Sequence, residues 1–597
     1  MKGIMKTVTL FLLLTALIFS CMPTAWAEEA AAKGPTALEF VRMMGSGINL
    51  GNTLEACDAN KGRFSENPSD YETLWGQPVT SPEMLRGMKS AGFDTLRIPV
   101  AWMTNATRLS EGDYTIDSAY MERVRQIVDD ALEAGFYVIL NDHWDGGWYG
   151  MFGSDTQETR DLAMEAYKGM WAQIAQRFAA YDDRLIFEGA NEEIGARFDE
   201  DSRLYCDDSM KHILSDNERY ALANQVNQAF VDTVRAAGGE NDSRFLLIPG
   251  YGTDIARTCD SRFKMPRDTA QDRLLISVHF YDPWSYCGAA NYATATKWGT
   301  KKDLDTMNKT LSRMQKFTAQ GYGVVIGEYG ALPGPDGRMK DNAKLYHENF
   351  LLNCDLYGYC GCLWDTSGFY VRKNLAFSDE EMEKLYDVFR FDPQDEPLEE
   401  YVANVVSDAG EWLQIRIDEA PDTFLENAIE ITDDTIVAWL MWSSGDWAQS
   451  YSVGDTYTPD AVSPGLKVTD AVITEPGQYT VALDFTGTEK GYSSSVAFSA
   501  LGIMNGETLH PDWAVHIQEV LINGEPYKLS GRPYTTSDDG KCTRVNLFNE
   551  WVTALPADAR VLYGPPISIS PTVLNRNDDV ISHIETISVT FLYEKKK

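Results

Sequence analysis

Residues 324–329 read VVIGEY, a short apolar run that leads into a carboxylate, and residues 187–192, FEGANE, follow the same pattern elsewhere in the chain. A carboxylate at the exit of an apolar strand is held at the edge of the core, whereas an ordinary surface charge moves freely in solvent. Two such carboxylates, Glu192 and Glu328, predict an acid and a nucleophile of the kind that break an acetal bond.

The sequence around these two segments alternates apolar strand candidates with helical patterns from residue 36 to residue 395. The strand candidates are residues 48–50, 95–99, 137–141, 185–188, 245–249, 275–279, 323–327 and 361–364. Eight βα units over roughly 350 residues predict an α/β fold, a (β/α)8 TIM barrel with long active-site loops. Strands that close such a barrel are buried on both faces, which is why they are apolar runs without alternation.

The pattern changes after about residue 394, and short strand candidates separated by Gly, Pro, Asn and Asp turns predict an all-β sandwich over residues 410–597. They are residues 435–442, 478–485, 495–500, 516–522, 544–549 and 585–593. This domain either binds carbohydrate or supports the barrel. The tryptophans available as binding platforms are Trp439, Trp442, Trp447, Trp513 and Trp551.

The N-terminus predicts export. Lys2 and Lys6 precede the apolar run 8–19, and the AWA motif at 25–27 offers a cleavage site, so residues 1–27 are predicted to be a signal peptide. Lipid attachment at Cys21 is the alternative. We therefore expect a secreted, extracellular protein that is not held at a membrane after cleavage.

The composition narrows the choice of partner. A formal net charge of −37 argues against nucleic acid, whose phosphates would be repelled, and suits a neutral substrate. Cys360 and Cys362 have neither a C-x-x-C motif nor paired histidines beside them, so we predict core residues and expect no metal or cofactor. The spacing of the cysteines fixes no disulfide pairing, and the sequence does not fix the oligomeric state.

The carboxyl ends of parallel barrel strands meet at one face, where the loops build the site. The polar and aromatic residues at those ends are Arg97, His143, Asn191, Glu192, His279, Tyr281, Glu328 and Trp364. We predict that Glu328 is an ionised nucleophile held by Arg97 and the Tyr281 hydroxyl. Glu192 is predicted to be the proton donor, with a pKa raised by burial and by the neighbouring anion.

The remaining residues at this face are predicted to bind substrate. Asn191 donates to the sugar 2-hydroxyl, and His143 and His279 bind hydroxyls or tune the carboxylates. Trp364 offers a flat apolar face to a sugar ring. Among the loop tryptophans, Trp148 and Trp284 are the preferred subsite platforms, because they follow His143 and Tyr281 closely in sequence.

An ordered series of segments resembles glycoside hydrolase family 5. The segments are GINLGNTL at 47–54, LRIPV at 96–100, NE at 191–192, HFY at 279–281 and IGEYG at 326–330. The first of them, with WGQPVT at 75–80, is most similar to the endo-β-1,4-glucanase (cellulase) branch. The resemblance implies a retaining mechanism on internal β-1,4 bonds of cellulose or related β-glucans, with Glu192 as proton donor and Glu328 as nucleophile.

Two positions depart from the family pattern. Many relatives have Pro after the acid/base residue, whereas this chain has Glu193, whose carboxylate either perturbs Glu192 or, as we favour, points to solvent. Many relatives also carry two adjacent histidines at the third strand, whereas here Trp144 follows His143. The same machinery acting on xyloglucan, mixed-linkage glucan, xylan or mannan remains open. A non-catalytic glycan-binding protein on a degenerate barrel is the alternative from another class.

Overall fold

The computed structural model describes residues 34–58, 60–206, 214–288, 297–334, 338–394, 396–421, 429, 432–451, 457, 462–463, 465–531, 533–538, 542–552 and 573–595. The predicted signal peptide and Cys21 lie outside the described residues. The chain forms two compact units. Of the described residues, one unit comprises those up to residue 280 with those in 310–329 and 351–409, and the other comprises those in 281–309 and 330–350 and those from residue 410.

Eight parallel strands close into a barrel in the first unit, which confirms the predicted fold. They are β1 Gly47–Asn49, β2 Thr95–Ile98, β3 Tyr137–Asn141, β4 Leu185–Glu188, β5 Leu246–Pro249, β6 Leu274–Phe280, β7 Gly323–Tyr329 and β8 Tyr359–Leu363. The strands follow one another in chain order, and β8 pairs with β1 to close the barrel. Nearly every strand residue is buried, so polar side chains reach a ligand only at the strand ends.

Helices alternate with these strands along the chain, and their ends follow local sequence signals. Ser81 caps the helix that begins at Pro82, and Asp117 caps the helix that begins at Ser118. The helices are α1 Ala37–Met43, α2 Ser69–Glu72, α3 Pro82–Ser90, α4 Trp102–Ala106, α5 Ser118–Glu133, α6 Gln157–Arg177, α7 Asp216–Ala236, α8 Ile255–Thr258, α9 Trp284–Cys287, α10 Lys301–Ser312, α11 Gln315–Thr318, α12 Ala343–Tyr357, α13 Glu380–Val388 and α14 Leu398–Glu419. A small hairpin, β9 Tyr370–Val371 and β10 Ala376–Phe377, follows the barrel.

The second unit contains the predicted β-sandwich, built from two antiparallel sheets that share one hydrophobic core. One sheet has the order β12-β11-β16-β20-β19, with β14 also paired to β11, and the other has the order β13-β15-β21-β17-β18. The strands are β11 Val437–Ser443, β12 Ser450–Tyr451, β13 Lys467–Thr469, β14 Ala471–Val472, β15 Gly477–Asp484, β16 Phe498–Met504, β17 Trp513–Ile522, β18 Glu525–Pro526, β19 Thr535–Asp538, β20 Cys542–Asn549 and β21 Thr586–Lys595. A short helix, α15 Gly506–Leu509, precedes β17.

The tryptophans of the sandwich do not share one environment. Trp439 and Trp442 on β11 are fully buried in the core, so they are not binding platforms. Trp513 is half-buried and stacks on His510. Trp447 and Trp551 are exposed. The burial of β11 on both faces removes two of the five predicted candidates.

Two further expectations concern the barrel and the membrane. Cys360 and Cys362 are buried free thiols on β8, as predicted for core residues. Among the described helices, none combines the length and the apolar character needed to cross a bilayer.

Candidate active site

Arg97 on β2 is fully buried and organises the centre of the site. Its Nε donates to Glu188 Oε2 at 2.7 Å, and its Nη1 donates to Asn49 Oδ1 at 3.0 Å and to Glu328 Oε1 at 2.9 Å. Its Nη2 donates to Asn191 Oδ1 at 2.9 Å. Burial alone would lower the pKa of Arg97, but Glu188 and Glu328 outweigh burial and raise it. The guanidinium therefore stays charged and fixes four side chains at once.

Glu188, the last residue of β4, is the counterion that allows Arg97 to be buried. Its Oε2 also accepts from Asn141 Nδ2 at 3.0 Å, and its Oε1 accepts from Ser277 Oγ at 2.7 Å. Glu188, Asn49, Asn141 and Ser277 are not among the predicted site residues. The available signal was a polar residue inside an apolar strand, because a buried polar group needs a partner.

An irregularity in β7 aims Glu328 at the site. Glu328 pairs with His279 on β6, and the register shift just before this pair leaves Gly327 as an extra residue on β7. Such a bulge redirects the side chain that follows it. A side chain at position 327 would be crowded, since a Cβ there would lie 3.0 Å from Ser277 Oγ and 3.1 Å from His279 Nε2.

The Glu328 carboxylate is buried between basic side chains. His143 Nε2 lies 3.8 Å from Oε1, the oxygen that Arg97 also contacts, and His279 Nδ1 lies 3.6 Å from Oε2. Burial raises the pKa of Glu328, while His279 and Arg97 limit the rise. The carboxylate is therefore fixed in position from both sides.

Glu192, four residues after β4, is the more open of the two carboxylates. Its side chain is 31% exposed, against 8% for Glu328. His279 Nδ1 lies 2.9 Å from its Oε1, and Arg197 Nη2 donates to its Oε2 at 3.2 Å. Burial alone would raise the pKa of Glu192, but His279 and Arg197 outweigh burial and lower it to about 2. The prediction that the pKa of Glu192 is raised is therefore wrong for the site without substrate. The sequence pattern does not indicate the positive charge of Arg197 beside this carboxylate.

The two carboxylates face one another across His279. One oxygen of each carboxylate and a His279 ring nitrogen all lie within 4.8 Å of one another. In the part of the chain that the structure describes, this is the group of His, Cys, Asp and Glu side chains compact enough to hold a metal ion. The same closeness allows both carboxylates to act on one bond.

His143 and Trp364 form a stacked pair beside Glu328. Their ring centroids lie 5.5 Å apart and their planes differ by 5°. Burial lowers the pKa of His143 well below its usual value, and the charges of Arg97 and His279 lower it further. His143 is therefore a neutral imidazole. Trp364 directly follows β8 and is partly exposed, so it can offer a ring face to a ligand.

The two preferred loop tryptophans differ. Trp148 is fully buried in a 3₁₀ turn and packs on Tyr149 and Phe152, so the prediction that it is a subsite platform is wrong. The apolar turn that carries it folds inward as a packed cluster. Trp284 is 51% exposed, and Tyr281, the residue after β6, contacts it edge-on with ring centroids 5.9 Å apart.

Glu193 is buried, so the prediction that it points to solvent is wrong. Its Oε2 accepts the backbone N–H of Asn191 at 3.0 Å, and its Oε1 has no hydrogen-bond partner among the described residues. Burial raises the pKa of Glu193 to about 8, although the nearby positive charge of Arg197 acts in the opposite direction. The pKa of the buried Asp142 is likewise raised well above its usual value, mainly by burial and also by the neighbouring charge of Asp145. Next to Glu192 the protein thus holds a carboxyl group, that of Glu193, which is mostly protonated at neutral pH.

Trp144, at the position of the second histidine of many relatives, links an aromatic surface to the acid side of the site. Its Nε1 donates to Glu200 Oε1 at 3.0 Å, and Arg197 Nη1 donates to the same oxygen at 3.3 Å. The Trp144 ring stacks on Trp75, with centroids 6.4 Å apart, and Trp75 is 38% exposed. Arg197 and Glu200 are not predicted from the sequence, because no local pattern distinguishes them from surface charges.

Comparisons with known proteins agree with this geometry. The family model described as cellulase (glycosyl hydrolase family 5) matches residues 57–356. Endoglucanase A of Paenibacillus barcinonensis is 35% identical over 373 residues, covering 57% of this chain and 86% of that protein. A xyloglucan-specific endo-beta-1,4-glucanase of Bacteroides ovatus is 37% identical over 315 residues, covering 51% of this chain and 58% of that protein.

Solved structures show the same relationship. A glycoside hydrolase 5 lichenase from Caldicellulosiruptor sp. F32, in complex with cellotetraose, aligns with a TM-score of 0.52 at 30% identity, covering 60% of this chain and 96% of that chain. The family model, the identity to these relatives and the barrel with its paired carboxylates agree. The chain therefore belongs to glycoside hydrolase family 5.

Proposed function

We propose that this protein is a secreted retaining endo-β-1,4-glucanase. It hydrolyses internal β-1,4-glucosidic bonds of cellulose or related β-glucans through a covalent glycosyl-enzyme intermediate. The observation that carries the proposal is the close approach of Glu192 and Glu328, whose nearest oxygens lie within 4.8 Å. Retaining glycosidases hold their two carboxyl groups about 5–5.5 Å apart, whereas inverting enzymes need about 6.5–9.5 Å to admit a water molecule.

In the first step, a Glu328 oxygen forms a bond to the anomeric carbon while the bond to the glycosidic oxygen breaks. Glu192 gives its proton to the departing oxygen. Arg97 donates to Glu328 Oε1 at 2.9 Å and so favours the ionised form of the attacking group. Because His279 and Arg197 lower the pKa of Glu192 to about 2 in the free site, we expect substrate binding to weaken these contacts before Glu192 acts as acid.

In the second step, Glu192 acts as a base. The ester at Glu328 carries no charge, so Glu192 loses the anion that opposes its ionisation. Glu192 takes a proton from water, the water oxygen bonds to the anomeric carbon, and the bond from that carbon to Glu328 breaks. His279 and Arg197 favour the ionised form of Glu192, which suits this step.

The same network orients the substrate contacts. Arg97 occupies Asn191 Oδ1, so the amide nitrogen of Asn191 is the group left to donate to a sugar 2-hydroxyl. That contact strengthens as positive charge develops on the sugar ring. Trp364 is placed to stack on a pyranose face. Trp75 and Trp144 offer a second apolar surface on the side of Glu192.

No metal or cofactor takes part in this mechanism. A divalent cation held by Glu192, His279 and Glu328 would occupy the oxygens that bond cleavage uses. We therefore expect EDTA to leave the rate unchanged and a tightly bound transition-metal ion to inhibit. Loss of activity with EDTA and its return with one metal would contradict this assignment.

The preferred polysaccharide is a separate question. The relatives include endoglucanases, a xyloglucan-specific enzyme and a lichenase, so xyloglucan, mixed-linkage glucan, xylan and mannan belong in the assay panel. Export is proposed from residues 1–27, with lipid attachment at Cys21 as the alternative. Sequencing the N-terminus of the exported protein distinguishes the two.

The experiment that tests the proposal follows product stereochemistry. The mature chain should release β-configured reducing ends from a soluble β-1,4-glucan, as observed by proton NMR before mutarotation. Products should be oligosaccharides of several lengths, as internal cleavage requires. The Glu328→Gln variant, which keeps the shape of the site, serves as the matched control. First-formed α-anomers would overturn the retaining mechanism, and equal rates for both proteins would support the non-catalytic alternative.

A further inference from the structure

Two exposed tryptophans lie side by side on the β-sandwich. The ring centroids of Trp447 and Trp551 are 5.4 Å apart, and their planes differ by 41°. The two residues remain 43% and 60% exposed even with this mutual contact. By contrast, Trp439 and Trp442 on β11 are fully buried. We call the pair the Trp447–Trp551 platform.

Trp447 occupies a turn whose backbone is unfavourable for its side chain. It lies between β11 and β12 with a φ of 61°, in the left-handed region that favours glycine. The Ser444 N–H donates to the Gln449 carbonyl at 2.8 Å, and the Trp447 N–H donates to the Ser444 carbonyl at 3.0 Å. Asp446 accepts from Ser444 Oγ at 2.6 Å. A large apolar ring that is 43% exposed is thus attached at a left-handed backbone position, where glycine would be less strained.

Trp551 is held equally firmly. It follows β20, and its backbone N–H donates to Asn549 Oδ1 at 3.1 Å. The neighbouring Glu550 N–H donates to the Ala497 carbonyl at 3.0 Å. Both rings therefore project from hydrogen-bonded backbone, which lowers the cost of ordering these residues when a ligand binds.

An ion pair lies beside each tryptophan, because the residue before each tryptophan is the acidic member of the pair. Lys490 Nζ lies 2.5 Å from Asp446 Oδ2, next to Trp447, and Arg576 Nη1 lies 2.8 Å from Glu550 Oε2, next to Trp551. The two pairs carry no net charge, and they supply both donors and acceptors. This edge suits a neutral, hydroxyl-rich ligand and offers no attraction to a charged one.

We propose that the Trp447–Trp551 platform is a binding site for a β-1,4-linked glucan chain, separate from the catalytic residues. The apolar faces of pyranose rings would stack on the two indoles, and the ring hydroxyls would bond to the charged groups at the edge. The choice of glucan rests on the proposed function, because a site for the polymer that the enzyme cleaves raises the local concentration of substrate.

The test measures binding without cleavage, in the full chain carrying Glu328→Gln. The double variant Trp447→Ala/Trp551→Ala should bind amorphous cellulose at least about tenfold more weakly than its parent, as expected for the loss of two stacking rings. Trp412→Ala is the matched control, because Trp412 is also an exposed tryptophan, at 47%, and belongs to α14. Its binding should equal that of the parent.

A second variant separates binding from folding. Trp447→Gly fits a φ of 61° better than tryptophan does, so its melting temperature should be unchanged or higher while its affinity for cellulose falls. A lower melting temperature with unchanged binding would assign Trp447 a structural role and overturn the proposal. Unchanged binding of cellulose by the double variant would also overturn the proposal. The same holds if the double variant still binds glucan but no longer binds a protein partner.

If the proposed catalytic function is wrong, the measurements give a different result from the one expected if the platform proposal is wrong. In the active chain, the platform variants should keep the parent rate on a soluble β-glucan oligosaccharide, because neither tryptophan belongs to the catalytic network. A parent chain that binds cellulose through the platform but cleaves no β-glycan would overturn the proposed function and leave the platform intact.

Discussion

Glu328, near the end of β7, and Glu192, just after β4, have carboxylate oxygens within 4.8 Å of one another, but the two side chains are held in different ways. Glu328 is buried against Arg97, whose guanidinium also binds Glu188, Asn49 and Asn191. Glu192 is one-third exposed and rests on His279 and on Arg197, which is itself about one-third exposed. The β7 side is a buried, closely hydrogen-bonded network, whereas the β4 side is more open.

This difference corresponds to the two chemical tasks. A nucleophile performs one function and benefits from a fixed position and a constant charge. A residue that is first an acid and then a base must change its protonation state within each cycle. The open side of Glu192 lets substrate and product change its electrostatic surroundings, and the network around Arg97 shields Glu328 from the same changes.

The largest effect is expected at Glu328, on the buried β7 side. Glu328→Gln should lower activity by about 10⁴-fold or more on every glycoside, because no nucleophile remains. Rates on an aryl β-cellobioside and on soluble glucan measure the loss. The melting temperature should change little, since Arg97 keeps Glu188 as its counterion. Residual retaining activity of several per cent would show that another group attacks.

Arg97→Lys tests the rigidity of the β7 side. A single ammonium cannot replace a fork that reaches four side chains, so the free energy of unfolding should fall by about 3 kcal/mol and kcat/KM by about 100-fold. Arg244→Lys is the control, because Arg244 is equally buried but donates to backbone carbonyls and to Asn241. It should lower stability while leaving kcat/KM near the parent value. Similar kinetics for both variants would refute the positioning role of Arg97.

Glu192→Gln tests the role of the β4 side as acid and base. Substrates with poor leaving groups, such as cello-oligosaccharides, should lose about 10²–10⁴-fold in kcat/KM, because they need protonation. A dinitrophenyl cellobioside should lose much less in the glycosylation step and should accumulate the glycosyl-enzyme. Azide, which needs no base, should then speed its turnover. Equal losses on both substrates would contradict the assignment.

Glu193 gives a prediction about stability and pH. Its folded-state pKa of about 8 lies above the unfolded value of about 4.3, so the folded protein holds an extra proton between these pH values. The stability that Glu193 contributes is therefore present at low pH and lost as the pH rises through this window. Glu193→Gln is neutral and nearly isosteric, so its melting temperature relative to the parent should rise from pH 5 to pH 8. A constant difference would mean that Glu193 is ionised when folded.

The smallest expected effect concerns the charges next to Glu192. Arg197→Ala removes a group that lowers the pKa of Glu192, so the high-pH limb of kcat, which reports Glu192 in the enzyme–substrate complex, should move to higher pH by about 0.5 unit. Glu200→Gln should move the same limb to lower pH, because it removes the anion that balances Arg197. Shifts of the same sign in both variants would rule out an electrostatic origin.

Much of the fold and part of the site follow from local sequence. Apolar runs that alternate with capped helices predict the barrel, because strands buried on both faces and helices with one apolar face have different periodicities. The positions of Arg97, Glu192 and Glu328 at strand exits follow from the rule that parallel strands deliver their carboxyl ends to one face. The short strands beyond residue 410 similarly predict the sandwich.

The environment of each group was decided by tertiary structure. Arg97 and Glu328 are 231 positions apart in sequence, and His279 and Glu192 are 87 apart, so no local pattern reports the charges that set their pKa values. The burial of Glu193 and Trp148 and the exposure of Trp447 and Trp551 depend in the same way on what packs over each side chain. Local sequence determines which backbone conformation and which apolar face a segment prefers. Desolvation and charge act through space, so they are fixed only when distant segments meet.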